Sequence, residues 1–215
     1  MRCCKRVHWL HRPAWMIERG AWTWLCACLL LFLACVTPAG AQINPAEVTQ
    51  LSVERSDDGV LLSATVRFDL PQVVDEALAK GIPMYFLAEA SIYRDRWYWY
   101  DKRVAFATRH MRLSYQPLTR RWRLQVSANP IAHSGLVLGQ MFDSREEALA
   151  AVQRISRWRI AYPDALDSDS PHNIDFRFRL DVSQLPRPFQ IGAVGQADWI
   201  ILATRNQPLV LDTVK

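Results

Sequence analysis

The sequence predicts a mainly β protein: an antiparallel β-sandwich, immunoglobulin-like or similar, with two short helices and an N-terminal signal helix. Three observations carry this expectation. Val60, Leu62, Ala64, Val66, Phe68 and Leu70 alternate with Ser63, Thr65, Arg67 and Asp69, and Ile174, Phe176, Phe178, Leu180 and Val182 alternate with Asp175, Arg177, Arg179 and Asp181 still more cleanly. A period of two belongs to a strand with one buried face. Such strands follow one another across turn residues instead of alternating strictly with helices, which is the pattern of a sandwich. The third observation is a basic and then apolar N-terminal segment that ends in small residues.

That segment reads as a secretory signal. Arg2, Lys5, Arg6, Arg12 and Arg19 precede an apolar run over residues 22–36, and Ala39-Gly40-Ala41 supplies an A-x-A cleavage site. The run is shorter than the ~20 residues of a spanning helix. Cleavage is expected between Ala41 and Gln42, leaving residues 42–215 as a single domain large enough for a substantial core. The alternative is an uncleaved anchor, since no charge stands between Arg19 and Glu47.

Cleavage would change what the composition implies. All five cysteines (Cys3, Cys4, Cys26, Cys28 and Cys35) lie in the leader. A mature chain without them excludes a disulfide scaffold, thiol catalysis and cysteine-bound metal. The leader also holds five of the 26 Lys/Arg and one of the 21 Asp/Glu, so the net charge of +5 falls to 21 against 20, or +1. Net charge therefore gives no case for nucleic-acid binding.

Along the mature chain, residues 47–54 form a weaker first strand, turned into the next by Ser56-Asp57-Asp58-Gly59. Pro71 and Gly81 bracket a helix over residues 72–80 that has Val74, Ala77 and Leu78 on one side. Residues 82–93 start apolar on both faces, as a central strand does, and Trp122, Leu124 and Val126 mark another strand. Ser144-Arg145-Glu146-Glu147 has the spacing of a capping box, opening a second helix that lines Ala148, Val152 and Ile155 on one face. The two prolines of Leu185-Pro186-Arg187-Pro188-Phe189-Gln190 suggest a stiff extended crossover between sheets, the alternative being a rigid loop that presents Arg187 and Phe189. Residues 199–204 form the last strong strand, with Asn206-Gln207-Pro208 as a break.

Chemistry-bearing residues are sparse. The densest segment runs from Tyr93 to Arg103 and contains Arg94, Arg96, Trp97, Tyr98, Trp99 and Tyr100. Extended, it puts Trp97 and Trp99 on one face, able to stack on sugar rings or a peptide. The competing role is ordinary packing at a sheet edge, which aromatic-rich strands commonly serve. Arg94, Arg96, Trp97, Trp99 and Arg187 are the candidate ligand-binding residues. His110 is expected within a strand, and His133 and His172 in loops; none has metal-ligand spacing. Asp167-Ser168-Asp169-Ser170 resembles the start of a calcium loop, but His172 and Phe178 stand where the glycine and the last acid belong. There is no G-x-S-x-G, P-loop or G-x-G-x-x-G. No catalytic residue, metal or cofactor is expected.

Four stretches together resemble a known family: Gly81-Ile82-Pro83-Met84-Tyr85-Phe86; Arg96-Trp97-Tyr98-Trp99-Tyr100-Asp101 through Val104-Ala105; Leu113-Ser114-Tyr115 with Leu118-Thr119-Arg120; and residues 180–190. The chain resembles the exported proteobacterial domain-of-unknown-function family 4390, also called proline-rich signal-peptide proteins, over about residues 48–199. The resemblance implies no catalytic residues, because the family has no established activity. It implies a gene beside a two-component sensor kinase, and hence a part in envelope sensing.

The expected function is that of a periplasmic binding module, not an enzyme, whose partner is the extracytoplasmic part of a membrane sensor or another envelope protein. It would touch the membrane only through an uncleaved signal. The alternative is a binder of glycans or peptidoglycan fragments. A hydrolase whose site is assembled by the fold is the third reading, favoured only if His110 or His172 meets acids in an open cleft.

Overall fold

The computed structural model describes residues 46–94, 101–131, 138–166, 170–193, 199–210 and 212–213. The chain divides between residues 42 and 43 into two units, and every described residue belongs to the second. The expected signal and its Ala41/Gln42 junction lie outside the described residues.

The described chain is mainly β. Its strands are β1 (Glu47–Ser56), β2 (Gly59–Arg67), β3 (Met84–Arg94), β4 (Lys102–Gln116), β5 (Arg121–Ser127), β6 (Gly139–Phe142), β7 (Arg154–Ala161), β8 (His172–Leu180), β9 (Leu202–Pro208) and the two-residue β10 (Asp212–Thr213). Three helices join them: α1 (Gln72–Ala79), α2 (Arg145–Gln153) and α3 (Arg187–Ala193). One sheet has the order β6-β5-β4-β3-β8-β9 and is antiparallel throughout. The other has the order β10-β1-β2-β7 and is antiparallel except for β10 beside β1.

The sheets share one apolar core. β3 is central, as its two-sided apolar sequence predicts, and its even-numbered residues Met84, Phe86, Ala88, Ala90 and Ile92 are all buried. β1 lies over β9, where Arg205 Nη1 donates to the Val48 carbonyl at 3.0 Å and Gln207 Nε2 to the Leu51 carbonyl at 3.2 Å. β7 lies over β4, and α2 takes over the covering role above β5 and β6. Phe68, Phe86 and Phe178 meet in the core with ring centroids 5.4–5.7 Å apart.

Local signals account for both predicted helices. Gly81 takes φ +83°, which lets its N–H reach the Leu78 carbonyl at 2.8 Å while the Ile82 N–H reaches Ala77 at 3.1 Å. That pair of bonds is a Schellman close to α1. The Ser144 hydroxyl accepts from the Glu147 N–H at 3.2 Å and starts α2.

Four expectations are corrected. Residues 187–193 form a helix and not an extended crossover: Pro188 sits in a first turn, where its missing N–H costs nothing, and Gln190 Nε2 donates back to the Ser183 and Leu185 carbonyls at 2.6 and 2.7 Å. Asn206-Gln207-Pro208 continues β9 instead of breaking it, pairing with Asp175, Ile174 and Asn173; Pro208 is tolerated at the end of an edge strand. Trp199 and Ile201 are buried before the strand begins at Leu202. Ile155 is buried as part of β7, because α2 ends at Gln153 and the chain turns extended at Arg154.

Candidate functional site

β3 and β4 form a hairpin whose last register pair is Arg94 with Lys102, preceded by Tyr93 with Arg103. On its other side Arg94 pairs with His172, the first residue of β8. Lys102, Arg94 and His172 thus stand in one row across three strands. Directly opposed residues in an antiparallel pair share a face, with Cβ atoms about 4.5–5.5 Å apart. Opposed like charges destabilise a sheet, so the Arg94–Lys102 pair breaks a local rule. The register also slips between Ile92 and Tyr93, leaving Val104 as the extra residue. A bulge of this kind re-aims the side chains beyond it.

The result is a basin of about 260 Å³ lined by Arg94, Lys102, Arg103, Val104, Asp164, Ala165 and His172. Lys102 and Arg103 are exposed, and the Arg103 guanidinium lies 5.0 Å from the Phe106 ring centroid. His172 is buried, at 7% exposure, yet its Nε2 has no hydrogen-bond partner. Asp164 is the one acid in the lining among the described residues.

His172 was expected in a loop; it opens β8 instead, because its neighbours Arg94 and Asn173 extend the pairing to the strand end. Arg94 is brought into the basin, whereas Arg187 opens α3, is exposed and is absent from the basin lining. Arg96, Trp97 and Trp99 lie outside the described residues, as do Tyr98, Tyr100, His133, Ser134 and Asp167-Ser168-Asp169. Lys102 and Arg103 were not singled out as ligand residues. The signal available for them was a run of basic residues at both ends of a candidate hairpin.

A second polar group lies on the opposite face of the same sheet. His110 on β4 faces Leu87 on β3, which in turn faces Arg179 on β8. Burial lowers the His110 pKa below its usual value, against the nearby charges of Asp181 and Glu89, so the imidazole is neutral at pH 7. Its Nδ1 is buried without a partner. The Asp181 side chain is 9% exposed. Burial opposes its ionisation, but hydrogen bonds from Ser183 Oγ (2.6 Å) and Gln184 Nε2 (2.8 Å), the Arg179 charge and the Ser183 N–H outweigh burial and hold its pKa below the usual carboxylate value.

The Ser183 hydroxyl donates to the aspartate, so the group is not ordered as nucleophile, base and orienting acid. Among the described residues, no cluster of three or more His, Cys, Asp or Glu could hold a metal. No described helix is long and apolar enough to cross a membrane.

The Asp181 network predicts an acid-sensitive contribution to stability. A folded pKa below the unfolded one stabilises fully above the ordinary aspartate range, and the contribution drains away as pH falls through the folded value. Asp181→Asn should therefore be less stable than wild type at pH 7, with the gap narrowing on acidification. Urea midpoints at pH 7 and pH 3 check this; a gap that stays constant would mean that the carboxylate charge is not what the network holds.

The comparisons with known proteins agree with the resemblance read from the sequence. The family model described as Domain of unknown function (DUF4390) matches residues 44–207. The chain belongs to this family. No curated protein matches this DUF4390 chain, and no solved structure does. The matched span includes the whole basin and both sheets apart from β10 and the final residue of β9.

Proposed function

We propose that this DUF4390 protein is an exported, periplasmic binding module that recognises an acidic group through the basin at the β3–β4 hairpin. The supporting observation is the row Lys102–Arg94–His172, with the exposed Arg103 beside it in the same basin lining. Like charges placed in register cost stability. Sites where a sequence breaks local rules in this way are commonly functional. Arginine offers a carboxylate or phosphate a bidentate fork, and lysine a point charge.

The partner fitting this chemistry and the leader-like N-terminus is an acidic segment on the extracytoplasmic part of a membrane sensor. Export is supported by the basic stretch, the apolar run and Ala39-Gly40-Ala41. Sensing is supported by the family resemblance. The second reading is an acidic glycan such as a peptidoglycan fragment, favoured by the aromatic residues Trp97 and Trp99 in the link between Arg94 and Lys102.

The test begins with the protein recovered from the periplasmic fraction, whose intact mass should start at Gln42. Tagged at either end, it should enrich a membrane sensor from envelope extracts, and Lys102→Gln with Arg103→Gln should cut recovery at least about tenfold, more steeply at low salt. Recovery of no membrane protein, or recovery untouched by the double variant, would sink the sensor reading. For the glycan reading, Trp97→Ala and Trp99→Ala must abolish binding of muropeptides without unfolding the protein.

A further inference from the structure

Arg109 stands where the strand pattern calls for an apolar side chain. The other inward positions of β4 hold Ala105, Ala107, Met111 and Leu113, and its register partner on β3 is the fully buried Ala88. The guanidinium therefore enters the layer between the sheets. Its Nε is buried with no hydrogen-bond partner, and no ion pair of the described residues includes it. Burial alone lowers its pKa from the ordinary arginine value; no neighbouring acid raises it. A partly desolvated cation without an ion-pair partner among the described residues is less stable than a paired one, and a bound anion would supply the missing partner.

The space to supply it is present. Where β7 gives way to α2 above β4 and β5, the layers part and leave a cleft of about 620 Å³. That volume is in the ordinary range for a small-molecule site, roughly 300–1,000 Å³. Leu124, Val126 and Ala151 give it apolar walls, Gln140 a neutral polar group, and the exposed Arg154 a second cation at the rim; among the described residues the lining holds no Asp or Glu. It shares no residue with the basin of the β3–β4 hairpin.

The chemistry of the walls selects the ligand. Arg109 is the partly buried charge inside the cleft, whereas Arg154 is exposed at the rim and screened by water, so one negative charge on the ligand matches the inner cation. Because Nε is buried, the edge that can face a ligand is the one formed by the two Nη groups, which matches the two oxygens of a carboxylate in a parallel bidentate bond. The apolar walls beside it favour a ligand that carries hydrocarbon behind that head.

We propose that this cleft is a second binding site, for an amphiphilic monocarboxylate whose head sits on the Arg109 fork and whose chain lies along Leu124, Val126 and Ala151. Arg154 is a gate charge that draws the anion in. This assignment stands independently of what the hairpin basin binds.

Calorimetric titration with octanoate tests it, using protein recovered from cells that produce the full chain. One saturable site is expected, weakened roughly 10–100-fold by Arg109→Gln, the loss expected for a charge-assisted bond. Octanol and octylamine, which lack the anion, and octyl phosphate, which can carry a second charge, should bind at least about tenfold more weakly. If Arg109→Gln fails to fold, Ala151→Trp fills the cleft from α2 while leaving Arg109 in place, and must abolish octanoate binding. The proposal is overturned by the absence of a saturable octanoate site, by octanol or octyl phosphate binding as tightly as octanoate, or by either folded variant binding octanoate like wild type.

Discussion

Phe178→Ala should remove about 3–5 kcal/mol of stability, the usual cost of emptying a buried aromatic site. Phe178 is fully buried on β8, with Ala88 of β3 and Ala203 of β9 directly beside it in register. One large ring between two methyl groups leaves room above for Phe68, whose centroid is 5.4 Å away, and Phe86 closes the group at 5.7 Å from both. Small neighbours also mean that nothing within the strand row can swing in to fill the hole, so the cavity would persist. Total stabilities of single domains are about 5–15 kcal/mol, so this variant consumes a large part of the margin. Urea unfolding should show a lower midpoint at an unchanged slope. A loss below about 1.5 kcal/mol, the range of a volume-conserving swap, would show that the aromatic group does not close the core.

Gly59→Ala should cost about 2–4 kcal/mol, a large effect for one methyl group. Gly59 ends the β1–β2 turn with φ at +129°, a conformation that side chains strain to adopt at about 1–3 kcal/mol. An added Cβ would also lie 2.4 Å from the Ala161 carbonyl, which is backbone and cannot move aside as a side chain would. Ala161 pairs with Val60 and ends β7, three residues before Asp164 and Ala165 of the basin wall. The same substitution should therefore disturb the basin as well as the hairpin. Thermal melting together with muropeptide or sensor binding checks both consequences; a variant as stable as wild type would mean that β7 does not press on this turn.

Much of the fold was legible because its signals are local. The alternation at Val60–Leu70 and Ile174–Val182, the Gly81 close of α1 and the Ser144 start of α2 each depend on residues within a few positions of one another. The reading failed where a local signal has two physical outcomes. Two prolines stiffen an extended chain, but one of them equally suits the first turn of α3, and only the groove that receives Phe189 beside Trp199, with ring centroids 6.4 Å apart, decides between them. Asn206-Gln207-Pro208 has the composition of a break, yet an edge strand demands few donors and β8 was there to pair with it.

For the site, the sequence determined that Arg94 lies in a dense basic and aromatic segment, whereas the register opposite the buried Ala88 is what puts Arg109 on the inward face with Ala105, Ala107, Met111 and Leu113. Only the tertiary structure brought His172, 78 positions away in sequence, into register beside Arg94, and set α2 and β7 over Arg109 with a cleft between them. The reason is physical. Period and capping act between neighbours along the chain, whereas strand order and the gap between layers are fixed by how whole faces pack, and no short stretch of residues contains that information.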